Sequence, residues 1–373
     1  MLKDWALDNS LIHLNHAAVG PWPIQTQQAI CEFAKENMQQ GSLNYLSWLK
    51  VENNLRDNLA KMINAPNRNS IALAKSTSEA LSIIAYGIEF NAGDNILISD
   101  EEFPSNRIVW ESLASKDVNT IRVGLNSAST PEQALMNACT SQTRLLSISS
   151  VQFATGTKID LKVLGEYCKK NHILFCVDAI QSVGAEAIDV QSCHIDFLAA
   201  DGHKWMLAPE GLAVFYCKEE LLDSLKLHQF GWHMVEKMGE YDTLEWQAAD
   251  SARRFECGSP NMLGIHALNA STSLLLEIGL TNVSQLIESK INKLYKELKA
   301  ISHIEIVTAD DPKRRLGILS FKSSLFSSED IFNHLTDNKV FCAMRSGCVR
   351  LSPHYYTPDE QLMAVINLIN EME

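Results

Sequence analysis

The sequence predicts an α/β fold: a large domain built on a mostly parallel sheet with helices on both faces, and a smaller α+β domain. Three observations support this prediction. Short apolar runs rich in β-branched residues recur through the first two-thirds of the chain, amphipathic stretches of helical length separate most of them, and the pattern changes after about residue 262. Alternating strands and helices are typical of parallel sheets that are covered on both faces.

Each of the apolar runs is a candidate buried strand, which together predict a seven-stranded sheet. They lie at residues 71–74, 96–98, 120–123, 145–151, 173–177, 195–199 and 212–216. The amphipathic stretches between them have the length and spacing of helices. They lie at residues 78–90, 106–115, 131–139 and 160–171.

The last part of the chain has a different organisation. Two long helical segments, 263–278 and 281–300, are followed by strand-like runs and a final helix that begins at Pro358-Asp359-Glu360. The strand-like runs lie at residues 304–307, 316–321 and 349–351. A chain of 373 residues fits two domains at roughly 150 residues each. We expect a large domain at 16–262 and a small domain formed by 1–15 and 263–373.

The composition excludes several classes of protein. Hydrophobic residues make up 46% and charged residues 21%, as in ordinary folded proteins. The net charge of −13 argues against nucleic acid as a partner, because such binding depends on a basic face. No run approaches the about 18 apolar residues of a membrane span, and residues 1–16 carry charges where a signal peptide needs an apolar stretch. We therefore expect a cytoplasmic protein with no membrane contact.

The cysteines and glycines argue against several kinds of ligand site. The nine cysteines are scattered and form no C-x-x-C pair, so we expect reduced structural thiols and no metal site. Cys168 and His172 have the spacing of two ligands on one helix face, but nothing nearby completes a tetrahedral set. With only 17 glycines and no G-x-G-x-x-G or G-x-x-x-x-G-K-[ST] motif, a dinucleotide site or a P-loop is disfavoured.

Polar residues follow three of the predicted strands, where ligands bind in open parallel sheets. Ser76, Thr77 and Ser78 begin a helix after the first strand, and form either an anion site or a simple helix cap. Asp178 ends the fifth run, as a cap or as a carboxylate that needs a cationic partner. Lys204 follows the sixth run, as a surface lysine or as a partly desolvated amine suited to a Schiff base.

These three features together match the needs of pyridoxal phosphate. The aldehyde of this cofactor needs an amine, its phosphate needs a helix N-terminus, and its pyridine nitrogen needs an anion. A hydroxyl-rich helix start, an aspartate and a lysine all fall on the same predicted edge of the sheet. The sequence therefore predicts a pyridoxal-phosphate site there.

Segments along nearly the whole chain resemble the class V aminotransferase family. This is the fold type I group of pyridoxal-phosphate enzymes that includes cysteine desulfurases, kynureninase and isopenicillin N epimerase. The segments occur in the order of the family and are H-L-N-H-A-A-V-G-P at 13–21, S-T-S-E-A at 76–80, E-F-P-S-N at 102–106, D-A-I-Q at 178–181, D-G-H-K-W at 201–205, R-F-E-C-G-S-P-N at 254–261 and R-L-S-P-H at 350–354.

The resemblance implies a role for each matching residue. Lys204 would bind the cofactor as a Schiff base and move the α-proton of the substrate, while Asp178 would pair with the pyridine nitrogen. The other implied cofactor contacts are Gln181 and Gln152 at the phenolic oxygen, Phe103 on the ring face, Thr77, Ser78 and His203 at the phosphate, and Ser259 at the phosphate from the other subunit of a homodimer.

The substrate site is implied in the same way. Arg350 would bind the substrate carboxylate, a bidentate task for which lysine is a poor substitute. Asn15 and His16 match a segment that borders the substrate in relatives, or they pack within the small domain.

The chain departs from the family pattern at two positions. Asp201 stands where the family has a phosphate-binding serine or threonine, and a carboxylate repels a phosphate dianion unless it points away or is protonated. Desulfurases carry a nucleophilic cysteine on a loop between an Arg-x-Gly segment and the carboxylate-binding arginine. Here only Cys348 and Val349 separate Gly347 from Arg350, which leaves no room for that loop. Cys348 is more readily explained as a buried structural thiol.

The resulting expectation is a homodimeric pyridoxal-phosphate aminotransferase that acts on an amino acid and a keto acid. The alternatives are a cysteine desulfurase or carbon–sulfur lyase, an amino-acid epimerase, and a non-catalytic relative that serves as a scaffold. The presence of Lys204, Asp178 and Arg350 counts against the scaffold. The residues of the site do not choose among the reactions, and they do not name the substrate.

Overall fold

A computed structural model describes residues 4–8 and 10–372. Its strands are β1 (Ile12–His13), β2 (Ile71–Ala74), β3 (Asn95–Ser99), β4 (Asn119–Val123), β5 (Thr143–Ser149), β6 (Leu174–Asp178), β7 (Phe197–Asp201), β8 (Ala213–Cys217), β9 (Ile304–Ile306), β10 (Leu319–Ser323), β11 (Val340–Phe341), β12 (Ala343–Arg345) and β13 (Cys348–Leu351). Its α-helices are α1 (Ile24–Gln40), α2 (Tyr45–Met62), α3 (Thr77–Gly87), α4 (Ser105–Glu111), α5 (Pro131–Ala138), α6 (Leu161–Asn171), α7 (Met262–Ile278), α8 (Leu280–Lys299), α9 (Ser328–Asp337) and α10 (Asp359–Asn370).

The large sheet has seven strands in the order β2-β8-β7-β6-β5-β3-β4, which confirms the predicted fold class. The five strands from β7 to β4 in this order run parallel to their neighbours, whereas β8 is antiparallel to both β7 and β2. Every residue of β7 and β8 is buried. Strands covered on both faces are typical of this architecture.

Two apolar layers cover the faces of this sheet. Successive side chains of a strand point to opposite faces, so Leu97 of β3 belongs to one buried cluster while Ile96 and Ile98 belong to the other. Phe175 and Cys176 of β6 divide in the same way. The strands are thus fixed in register from both sides, and their carboxyl ends form a rigid edge.

The second region is built on a four-stranded antiparallel sheet in the order β12-β13-β10-β9. Helices α9 and α10 pack against each other, and α8 packs against α10 and β9. Strand β1 pairs in parallel with β11, so residues 12–13 belong to this second region. The boundary expected at 262–263 falls at the start of α7, which packs against α1 and α2 as well as against α8.

Helices α1, α2 and α9 were not predicted from the sequence. Only Thr26 of α1 is fully buried, so this helix carries little of the apolar periodicity that identifies amphipathic helices. Within residues 4–8 and 10–372, no single helix is long and apolar enough to cross a membrane. Only the pair α7 and α8, bent by 82° between them, reaches that length and apolarity when both helices are counted together.

Candidate active site

A cavity of about 300 Å³ lies at the carboxyl end of the large sheet. Asp178 and Asp201, the last residues of β6 and β7, line it together with Lys204. Arg345 and Arg350 from the second region line the same cavity. Since ligands bind beyond the carboxyl ends of parallel strands, this is the candidate active site, and it brings together the residues that the sequence singled out on three separate strand ends.

Close glycine contacts hold the backbone around Lys204. The N–H of Gly20 donates to the carbonyl oxygen of His203 at 2.8 Å. A Cβ on Gly20 would lie 2.4 Å from the carbonyl oxygen of Lys204, and a Cβ on Gly184, whose φ is +98°, would lie 2.4 Å from that of Trp205. A larger residue at either glycine would therefore displace the segment that carries the lysine.

Lys204 and Asp178 form a buried pair of opposite charge. Burial lowers the pKa of Lys204, and the nearby carboxylate of Asp178 opposes that shift. Burial likewise raises the pKa of Asp178, while a backbone hydrogen bond from Ile180 at 3.1 Å acts in the other direction. Each partner favours the charged form of the other, whereas burial favours the neutral form of both, so an amine and a carboxyl group face the same cavity.

Gln181 is locked in place by two hydrogen bonds. Its Nε2 donates to the carbonyl oxygen of Ala17 at 3.1 Å, and its Oε1 accepts from the indole Nε1 of Trp205 at 2.9 Å. The side chain is buried and lines the cavity, as expected for a residue that contacts the cofactor ring. One N–H of the amide group remains for a ligand, because the group has two.

The start of α3 lines one end of the cavity. Ser76 caps the helix, since its Oγ accepts from the N–H of Glu79 at 3.2 Å, and it also lines the cavity beside Thr77 and Ser78. The first N–H groups of a helix have no partner within the helix and attract anions. The helix-cap alternative is therefore confirmed; the segment also lines the cavity, and the anion site stays a prediction. His203 lines the same cavity.

Two aromatic rings line another part of the cavity. Phe103 and Phe153 meet edge to face with ring centroids 5.2 Å apart, and the Nζ of Lys204 lies 5.6 Å from the centroid of Phe103. Phe103 is the residue expected on the ring face of the cofactor. Phe153 was not predicted from the sequence, although it lies two residues after the apolar run at 145–151.

Gln152 lies behind the cavity rather than in it. Its side chain is fully buried, and its Nε2 donates to Oε1 of Glu102 at 3.2 Å. Glu102 also accepts from the N–H of Ser149 and from Asn106, each at 2.9 Å. Phe153, the next residue in the chain, is the one that lines the cavity. Gln152 is not among the residues that line the cavity, and its expected contact with the cofactor stays a prediction.

Arg350 is a buried guanidinium held by backbone and side-chain contacts. Its Nη1 donates to the carbonyl oxygen of Phe153 at 2.7 Å, and its Nη2 donates to Oδ1 of Asn15 at 3.4 Å. Its Nε is buried and has no hydrogen-bond partner among the described residues. Burial, aided by the charge of Arg345, lowers the pKa of Arg350. An uncompensated buried cation at a cavity wall fits a carboxylate ligand.

The two other residues expected at the substrate lie outside the cavity lining. Asn15 contacts Arg350 and so orients it from behind. His16 is fully buried, and both ring nitrogens are engaged, Nδ1 with the carbonyl oxygen of Ser352 at 2.9 Å and Nε2 with the hydroxyl of Tyr356 at 2.6 Å. The packing alternative therefore accounts for both ring nitrogens of His16, and the expectation that it borders the substrate stays a prediction.

A tight hairpin joins the two arginine-bearing strands. Ser346 and Gly347 form the turn between β12 and β13 with φ values of 50° and 75°. Cys348 begins β13 and is buried, and burial raises the pKa of its thiol. It does not line the cavity. This agrees with the expectation that no nucleophile-bearing loop lies before Arg350.

Ser259 is exposed and lies outside the cavity of its own chain. Its expected contact with the phosphate of the other subunit stays a prediction. The remaining residues fit pyridoxal phosphate well: a buried amine, a buried carboxylate and a helix start face one cavity, together with an unpaired guanidinium nitrogen. This is the set of groups that the aldehyde, the ring nitrogen and the phosphate of the cofactor require.

Comparison with known proteins adds independent information. A sequence model of the family described as aminotransferase class-V matches residues 13–366. A probable cysteine desulfurase of Methanothermobacter thermautotrophicus is 28% identical over 393 aligned positions, which cover 99% of this chain and 96% of the relative.

Solved structures share the fold. The apo structure of a cysteine desulfurase from Thermococcus onnurineus NA1 matches with a TM-score of 0.89 at 24% identity, covering 100% of this chain and 96% of the other. The complex of the cystine C–S lyase C-DES with its reaction product cysteine persulfide matches with a TM-score of 0.89 at 22% identity, covering 96% and 97%.

Proposed function

Because this chain belongs to the aminotransferase class-V family, whose members depend on pyridoxal phosphate, we propose that it is a pyridoxal-phosphate enzyme that cleaves a carbon–sulfur bond. The substrate in this proposal is a sulfur-containing amino acid with two carboxylates, of which cystine is an example. The observation that carries the proposal is the presence of Arg345 and Arg350 in one cavity with Lys204.

The similar proteins favour sulfur chemistry over the transamination that the sequence first suggested. The relative from Methanothermobacter is named as a probable cysteine desulfurase, and C-DES is named as a cystine C–S lyase. The two reactions differ in what receives the sulfur, since a desulfurase of the family uses a cysteine nucleophile. Cys348 is fixed in a tight hairpin, and burial raises the pKa of its thiol. A buried thiol with a raised pKa is a poor nucleophile, which favours the lyase.

The two arginines account for the class of substrate. Arg350 is buried with its Nε unpaired, so it suits the carboxylate next to the reacting carbon. The guanidinium of Arg345 donates only to the carbonyl oxygen of Met344, at 2.7 Å, among the described residues. This leaves four of its five N–H donors for a second carboxylate. Cystine carries two such carboxylates, whereas cysteine carries one.

The chain's own residues supply the steps around the cofactor. When bound, pyridoxal phosphate supplies an electron sink for negative charge at the α-carbon of the substrate. Arg350 orients that carbon by holding its carboxylate, and the Nζ of Lys204 removes the α-proton, a task that its lowered pKa suits. Asp178 would stabilise the protonated ring nitrogen of the bound cofactor. The Cβ–S bond then breaks with its electron pair on sulfur.

The overall reaction balances with water as the only co-substrate. One cystine and one water give one pyruvate, one ammonia and one cysteine persulfide. The proposal includes a homodimer in which Ser259 of the partner subunit completes the phosphate site. Neither an oxidant nor a keto acid is required.

Product analysis of the purified enzyme, loaded with pyridoxal phosphate and given cystine, tests the proposal. We expect equal amounts of pyruvate, measured with lactate dehydrogenase, and persulfide, measured by cyanolysis. Alanine in place of pyruvate would instead identify a desulfurase. A keto acid that retains the whole carbon and sulfur skeleton of the donor would identify an aminotransferase.

A substitution separates the roles of the two arginines. Arg345→Met is expected to raise the KM for cystine about tenfold, because one charged hydrogen-bond pair is lost. The KM for S-methylcysteine, which has a single carboxylate, is expected to stay unchanged. Equal effects on both substrates would remove the argument for a second carboxylate.

A further inference from the structure

Asp201 presents a problem of charge at the phosphate end of the cavity. It is the last residue of β7, it is 6% exposed, and it lines the cavity beside Thr77 and His203. A buried carboxylate is costly unless it is paired, and a carboxylate next to a phosphate dianion is repulsive. The sequence pattern of the family has a hydroxyl at this position, which donates to phosphate and carries no charge.

Three contacts show how Asp201 is satisfied. Its Oδ1 accepts from the ring Nδ1 of His203 at 2.7 Å, and the same oxygen accepts from the backbone N–H of His203 at 3.3 Å. The backbone N–H of Asp201 donates to Oγ1 of Thr77 at 3.0 Å. The carboxylate is therefore engaged by the histidine, while its own main chain fixes the first residue of α3.

We propose that Asp201 is a positioning residue for the cofactor phosphate, which acts by holding His203 with Nδ1–H toward the carboxylate and Nε2 free for the phosphate. The inference rests on binding of the cofactor but not on the proposed carbon–sulfur cleavage. A carboxylate that accepts from one ring nitrogen fixes the orientation of an imidazole. The other ring nitrogen of His203 then faces the phosphate in place of the missing hydroxyl.

The hydrogen bonds of Asp201 also reduce the repulsion between its carboxylate and the phosphate of the cofactor. Oδ1 of Asp201 is engaged by the ring and the backbone N–H of His203, so this oxygen is not left to face the dianion alone. Thr77 contributes from the other side, because its Oγ1 accepts from Asp201 and its hydroxyl proton remains available to donate. The N–H groups at the start of α3 complete the anion site. Asp201 thus links the histidine and the helix start into one unit.

The test measures affinity for the cofactor in the apoprotein, without any catalytic assay. Quenching of tryptophan fluorescence gives the dissociation constants of pyridoxal phosphate and of pyridoxal, which lacks the phosphate. Asp201→Asn keeps the shape of the side chain and removes its charge. We expect it to weaken binding of pyridoxal phosphate about tenfold, the loss of one charge-assisted hydrogen bond, and to leave binding of pyridoxal unchanged.

A double-mutant cycle distinguishes positioning from a direct effect. His203→Gln alone is expected to weaken pyridoxal phosphate binding by a similar factor, and adding Asp201→Asn is expected to have no further effect. Unchanged or tighter binding of pyridoxal phosphate by Asp201→Asn would overturn the inference, as would additive effects in the cycle. Equal weakening for pyridoxal would also overturn it, since it would indicate general damage to the site.

The outcome for the unmodified protein separates this inference from the proposed function. If the wild-type apoprotein does not bind pyridoxal phosphate, the proposed function fails together with the inference. If it binds the cofactor and only the Asp201 variants behave otherwise than expected, the inference alone fails.

Discussion

The indole of Trp205 and the amide of Gln181 hold each other at the buried end of the cavity. Nε1 of Trp205 donates to Oε1 of Gln181 at 2.9 Å, and both side chains are buried. His354 contacts the same segment, since its Nε2 lies 3.2 Å from the carbonyl oxygen of Trp205. The residue that follows the lysine is therefore fixed by both regions of the protein.

Trp205→Phe is expected to lower the free energy of unfolding of the apoprotein by about 3 kcal/mol. The substitution leaves Oε1 of Gln181 buried without its donor and leaves a cavity beside it. Urea unfolding followed by circular dichroism measures the change. The matched control is Trp246→Phe, because Trp246 is 60% exposed. An equal loss in the control would contradict this account of Trp205.

The rate at which Lys204 attaches to the cofactor is expected to level off at a lower pH than for an ordinary lysine, whose pKa is about 10.4. Only the neutral amine is nucleophilic, and burial lowers the pKa of Lys204, so the rate rises with pH and reaches its plateau early. Stopped-flow absorbance of the apoprotein mixed with pyridoxal phosphate measures it. In Asp178→Asn the plateau should shift to still lower pH, because the charge that raises the pKa is gone. A midpoint near 10.4 in both proteins would contradict the prediction.

The buried histidines make the fold sensitive to mild acid. Burial lowers the pKa of His354 to about 3 and that of His13 to about 4. The unfolded chain therefore binds protons below pH 6.5 that the folded chain does not bind, so stability falls as the pH falls. Each such histidine contributes about 2 kcal/mol to the loss between pH 7 and pH 5.

His354→Gln is expected to reduce that loss by about 2 kcal/mol. The measurement compares urea unfolding at pH 7 and pH 5, so a change in stability common to both pH values cancels. His172→Asn is the matched control, because His172 is exposed and adopts a left-handed conformation that asparagine tolerates. The prediction is wrong if the two variants show the same difference between the two pH values.

A buried ion pair outside the cavity is expected to matter for stability. Arg56 binds Glu256 in a bidentate manner, with Nη1 to Oε1 at 2.6 Å and Nη2 to Oε2 at 2.8 Å. Glu52, His233 and Glu256 also lie close enough to share a metal ion, but the guanidinium of Arg56 already occupies both carboxylates. Glu256→Gln leaves a buried charge partly unpaired and should cost about 3 kcal/mol.

The control for this pair is an ion pair with exposed side chains. Arg68 and Asp57 lie 2.6 Å apart, with side chains 43% and 33% exposed. Asp57→Asn should change the free energy of unfolding by less than about 1 kcal/mol. Equal effects of Glu256→Gln and Asp57→Asn in urea unfolding would contradict the prediction.

Cys348→Ala is expected to leave the rate of persulfide and pyruvate formation from cystine within about twofold of the unmodified enzyme, since the thiol is buried and lies outside the cavity lining. Steady-state assays with both product readouts measure it, with Lys204→Ala as the inactive reference. A loss of sulfur release in Cys348→Ala that approaches the loss in Lys204→Ala would point to a cysteine nucleophile instead.

The sequence predicted the seven strands because each is a short run rich in apolar or β-branched residues, a signal that does not depend on the neighbouring elements. It did not predict that β8 runs antiparallel. The clue was present: no amphipathic stretch lies between residues 201 and 213, and a parallel connection needs a crossover of a dozen or more residues, usually a helix.

Some residues of the site could likewise be predicted from the sequence, and others could not. Lys204 and Asp178 were identified because a charged residue at the end of an apolar run is partly buried, and burial of a charge is costly unless the charge has a partner. Gln152 was expected at the cofactor from the resemblance to the family, and no signal in the sequence indicated that Phe153, the next residue, would line the cavity. For His16, only the three-dimensional arrangement reveals that Ser352 and Tyr356 satisfy both ring nitrogens.

The hydrogen bond between Arg350 and Asn15 spans 335 positions of the chain, and this separation has a consequence for synthesis on the ribosome. At roughly 5–20 residues per second, Asn15 emerges on the order of 20 to 70 seconds before its partner. Lys204 is synthesised during that interval, so for part of it the nascent chain contains the lysine but not the arginine proposed to bind the substrate. The pocket is therefore among the last features of the protein to form, and a translation product that stops before β13 lacks a substrate-binding arginine even where its large sheet has folded.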